Sequence, residues 1–137
     1  MIKIFDKQNN LLAIVHQSTE FKSGKTFYTD NHDEMQFGSF HLEEGEEIYK
    51  HIHNKQARST QFTYEGLVVI DGQIKIDLYD LQLIKIQEVT LNSGDAILLI
   101  SGGHGIKMLE NTKFLEFKQG PYAVSYTHLT LPTIRSV

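Results

Sequence analysis

The chain has 137 residues, enough for one domain built on one hydrophobic core. Its 40% hydrophobic content argues against disorder, and a net charge of −4 with no basic stripe argues against a nucleic-acid partner. The absence of cysteine removes disulfides, thiolate metal sites and cysteine nucleophiles together.

The first residues, MIKIFDKQNN, meet charge and polarity at once and lack a signal-peptide core. The longest apolar runs, 67–70 and 96–100, are far too short to cross a bilayer. A soluble, cytoplasmic protein is therefore expected, with no membrane partner.

In chain order, most segments alternate with period two. Residues 2–5 and 11–16 read as strands separated by a turn at Gln8, Asn9 and Asn10. Short strands follow at 26–29 and 35–42, around a polar loop at 30–34. Glu43, Glu44 and Gly45 form a turn, and 46–53 reads as the next strand. Residues 61–70 form another, ending in Asp71-Gly72, a two-residue hairpin signal. The segments 73–79, 81–91, 96–100, 106–109 and 113–118 complete the pattern. No amphipathic helix is legible. Many short strands between Gly, Asn and Asp turns predict an all-β sandwich or barrel.

The stretch 45–72 carries the chemistry. Residues two apart on a strand share a face, so a strand at 46–53 would project His51 and His53 together. Tyr49 shares that face. Glu65 opens an apolar strand and shares a face with Leu67 and Val69, where a carboxylate needs a cation or donors to offset desolvation. His104 follows in the glycine-rich run Gly102, Gly103, Gly105. Three imidazoles and a carboxylate are a ligand set for a divalent metal, and such donors suit Fe, Mn, Zn or Ni alike. Other candidate site residues are Arg58 in the loop after His53, Gln36 on an early strand, and Lys118, which shares a strand face with Glu116. Arg58 suits a carboxylate or phosphate.

These positions resemble the cupin superfamily. Its first motif is a glycine, five residues, His-x-His, a gap, Glu, six residues and Gly, as in Gly45, His51, His53, Glu65 and Gly72. Its second motif opens on Gly-Asp and closes on a histidine, as in Gly94, Asp95, Gly102 and His104. The resemblance spans about 38–122 and implies a double-stranded jelly roll with a metal held by His51, His53, Glu65 and His104. Eleven residues separate His53 from Glu65, more than the family usually has, so an enlarged loop carrying Arg58 is expected at 54–61, with Gln56 or Gln61 as the alternative to Glu65 as ligand.

The segments 102–105, 108–112 and 118–122 are similar to small cupins of bacterial surface-polysaccharide gene clusters. That implies an isomerase or epimerase acting on a sugar or nucleotide-sugar, with a metal-dependent dioxygenase or a non-catalytic binding module as alternatives. Related enzymes use histidine as base and tyrosine as acid, which makes His51, His53 and Tyr49 catalytic candidates. Cupins often pair through sheet edges, so a homodimer is expected. The string 124–133, VSYTHLTLPT, resembles a translated sequencing-library adapter. Residues 1–123 are therefore read as the domain and 124–137 as a non-native tail, which removes His128 from the ligand count.

Overall fold

The computed structural model describes residues 1–121; the 124–137 tail lies outside them. Within that range the chain is all β, with ten strands in antiparallel sheets and no helix. They are β1 (Ile2–Phe5), β2 (Leu11–His16), β3 (Gly24–Phe27), β4 (Gly38–His41) and β5 (Glu65–Asp71), then β6 (Gln73–Tyr79), β7 (Lys85–Asn92), β8 (Ala96–Leu99), β9 (Gly103–Met108) and β10 (Lys113–Lys118). The strands do not close into one continuous barrel among the described residues.

A five-stranded sheet runs β1-β2-β8-β5-β10, and a three-stranded sheet runs β7-β6-β9. The pair β3-β4 forms a separate ribbon. Alternation fixes which residues face inward. On β5, Leu67 and Val69 are buried; on β6, Ile74, Ile76 and Leu78 are. These join Ala13, Val15, Leu91, Ile97 and Leu99 in one core held between the two larger sheets. A second cluster, Ile14, Tyr28, Tyr64, Leu98 and Ile100, covers the opposite face of the five-stranded sheet.

Three sequence expectations need correction. Asp71-Gly72 does turn the chain, but β5 and β6 do not pair: β5 lies between β8 and β10, and β6 between β7 and β9. The turn is a corner at which the chain changes sheets. Gly72, at φ +108°, packs there on the β9–β10 connection, where a side chain would meet Asn111 O at 2.6 Å. Second, residues 46–53 form no strand. The Glu46 amide bonds the Glu43 carbonyl at 3.1 Å, closing a turn, and the long stretch between β4 and β5 is otherwise irregular. Alternation alone does not make a strand without a neighbour to bond. Third, His104 lies within β9 rather than in a free turn. The enlarged connection expected before Glu65 is present and extends from residue 42 to 64.

Candidate functional site

Strand register assembles the site at one end of the core. Lys118 pairs with Glu65 across β10 and β5, and Glu116 pairs with Leu67, so all four side chains share one face. That face is the inner one, since Leu67 is fully buried. From the opposite sheet, β9 places His104 beside Leu78, itself a core residue. The His104 Nε2–Glu65 Oε2 distance is 2.9 Å, so this contact ties the two sheets together across the cleft. Lys118 Nζ lies 3.8 Å from Glu65 Oε1 and 3.8 Å from Glu116 Oε2, bridging both carboxylates.

The electrostatics follow from these contacts. Hydrogen bonding by His104 holds the Glu65 carboxyl down at about 2, against the opposing pull of burial, with further help from Glu116 and Lys118. Glu116 moves the other way. Its bond to Glu65 and its burial raise its pKa, because two neighbouring carboxylates resist ionising together. The cluster therefore pairs a carboxylate that stays ionised with a carboxyl that holds its proton more tightly. His104 keeps about a third of its side chain exposed while Glu65 keeps 12%, so the histidine faces the opening.

The remaining sequence candidates lie elsewhere. His51 and His53 are exposed on the irregular connection, with ring centroids 5.0 Å apart. His51 Nδ1–H donates to the Tyr49 carbonyl at 2.7 Å, while Tyr49 itself is 81% exposed. Arg58 lines a polar surface groove of about 300 Å³ with His32, Asp33, Glu34 and Thr60. Glu34 secures that groove by accepting the amides of Gln61 and Phe62. Gln36 donates to the carbonyls of Asp30 and Asp33 and accepts from Thr29 Oγ1. It also borders an apolar groove of about 270 Å³ on the outer face of the five-stranded sheet.

The motif acid Asp95 is structural: its two oxygens accept the amides of Ser18 and Asn92, each at 2.8 Å. Glu116 is the cluster member that sequence reasoning left out of the candidate set. Its signal was the strand face it shares with Lys118.

The donor chemistry suits a divalent metal, but the four expected ligands fall into two separate pairs, Glu65 with His104 and His51 with His53. Among the described residues no group of three or more His, Asp or Glu side chains gathers to hold an ion. No helix among the described residues is long and apolar enough to cross a membrane. No family model, curated protein or solved structure matches the chain.

Proposed function

We propose that the chain is a jelly-roll domain of the cupin type and that Glu65, His104, Glu116 and Lys118 form the proton-transfer centre of an isomerase or epimerase acting on a sugar or nucleotide-sugar. The observation that carries the reading is the 2.9 Å Glu65–His104 contact at the open end of the core, with Lys118 bridging to a second carboxyl. The substrate class rests on the sequence resemblance alone.

The chemistry needs a base, an acid and a positive charge for the developing oxyanion. In a neutral His104 whose Nε2–H is donated to Glu65, the other ring nitrogen carries the free lone pair. It takes a proton from a carbon beside a carbonyl; the C–H electron pair forms a C=C bond to the carbonyl carbon, and the carbonyl π pair moves to the oxygen. The Lys118 ammonium stabilises the resulting enolate. Glu116, which holds its proton more tightly than an isolated glutamate, returns a proton to carbon.

The test is deuterium incorporation from heavy water into a panel of free sugars and nucleoside-diphosphate sugars, followed by NMR. Incorporation at one carbon is expected, falling by about 10²–10⁴-fold in His104→Ala. Binding without incorporation would overturn catalysis in favour of a binding module. Metal-dependent oxygen consumption would favour a dioxygenase instead.

A second reading keeps the metal. Two observations favour it: His51 and His53 are neighbours, and the Tyr49 carbonyl engages His51 Nδ1, leaving Nε2 as the ligand atom. Also, β9 is the edge strand of its sheet among the described residues, and 46–53 alternates in sequence. Docking of 46–53 on that edge would bring both histidines toward His104. Metal analysis after purification from Zn- or Mn-supplemented medium tests it. Stoichiometric metal lost in His51→Ala and in His53→Ala is expected; a chain that takes up none sinks the metal reading and leaves the acid–base one standing.

A further inference from the structure

His16 ends β2 and is 4% exposed. Its Nε2 is buried without a hydrogen-bond partner. The ring stands edge-on to Phe21, with centroids 4.6 Å apart, and is tilted against Tyr28 at 5.5 Å. Tyr28 follows β3 directly and holds the ribbon in place: its hydroxyl bonds Ser39 Oγ of β4 at 2.7 Å, and its amide donates to the Phe37 carbonyl at 2.8 Å. The imidazole is therefore the wedge between the end of β2 and the β3-β4 ribbon.

We propose that His16 is an acid-sensitive latch: its neutral ring seats the β3-β4 ribbon on β2, and its protonation releases the ribbon. A neutral imidazole fills an aromatic niche as an apolar ring does. An imidazolium brings a charge and a second N–H that must be satisfied, and Nε2 has no acceptor in the niche. The charged surroundings do not supply one. Asp95 is the favourable charge in reach, but both its oxygens already accept amides, from Ser18 and Asn92. The Met1 ammonium opposes protonation and is itself paired with Glu20, from the loop that carries Phe21. Tyr28, on the ribbon side, presents its ring.

Burial is the largest cause lowering the pKa of His16 below 6.5, followed by the ammonium. The seated state therefore refuses a proton that the released state accepts. Seating is fully stable above about 6.5 and weakens as pH falls below it. The ribbon leads directly into the 42–64 connection that carries His51 and His53, so the latch sets how firmly that connection is anchored. This inference is independent of the reaction proposed above.

Amide hydrogen exchange of the intact chain tests it, with protection factors read at Tyr28 and, as a core reference, at Val69. Between pH 6.5 and 5.5, Tyr28 should lose protection by up to about tenfold, the limit for one linked proton, while Val69 keeps its own. In His16→Phe, which fills the niche but cannot ionise, the loss should vanish. His16→Gln, uncharged at every pH, serves the same purpose should the phenylalanine variant fail to fold. An equal acid response in a folded variant, or unchanged Tyr28 protection in the parent, would overturn the latch.

Discussion

Glu65 is held ionised by its neighbours, and each neighbour contributes differently. His104 is the dominant one, so His104→Ala should let the carboxyl titrate well above about 2, as followed by carboxyl-carbon NMR. An unchanged titration would mean that Lys118 and Glu116 carry the effect. Glu116 is the opposite case. A carboxyl whose pKa is raised on folding disfavours the fold once it ionises, so Glu116→Gln should raise the melting temperature at pH 7 and lose that advantage in acid. A lower melting temperature at pH 7 would show that its bond to Glu65 outweighs the repulsion. Glu65 was legible in the sequence because a carboxylate beside Leu67 and Val69 on a buried face requires a partner. The identity of the partners was less so, since Lys118 and Glu116 come from a strand paired with β5 over some fifty residues of separation and His104 comes from the opposite sheet, and neither register has a local signature.

Among the elements, the tight turns separate what local sequence can and cannot specify. Asp71-Gly72 announces a change of direction, but whether β6 returns beside β5 or crosses to the other sheet depends on which strands are free to bond. β8 and β10 already occupy both sides of β5. The corner then makes its own demand on Gly72. Its φ of +108° disfavours any side chain, and a Cβ would press on the backbone of Asn111 and on Thr112. Gly72→Ala should therefore cost about 1–3 kcal/mol in urea unfolding, combining backbone strain with displacement of the β9–β10 connection. Gly45→Ala, also at positive φ but in open space, should cost less. Equal costs would show that the Thr112 contact relaxes freely. The 46–53 segment fails as a strand for a related reason: among the described residues no neighbouring strand bonds it, and Ile48 and Ile52 stay exposed instead of packing into a core.

Across the whole molecule, the two larger sheets share a continuous apolar core, and two groups couple its edges to pH from different places. The carboxylate at Glu65 joins the sheets at one end of the cleft. Its depressed pKa contributes stability above 4.5 that is lost as pH falls toward about 2. His16 fastens the ribbon outside the core, and its depressed pKa gives up stability as pH falls through 6.5. Because the first loss sets in at 6.5 and the second only at 4.5, urea midpoints measured at pH 7, 5.5, 4 and 2.5 should decline in two stages. His16→Phe should flatten the first stage and leave the second. Glu65→Gln should lower the midpoint at pH 7 and flatten the second, because an amide has no ionisation to lose. A single decline unaffected by either substitution would place acid sensitivity in other carboxylates. The order matters physically: the ribbon loosens first because a histidine releases it, whereas the contact between the sheets persists until a carboxylate near 2 takes up its proton.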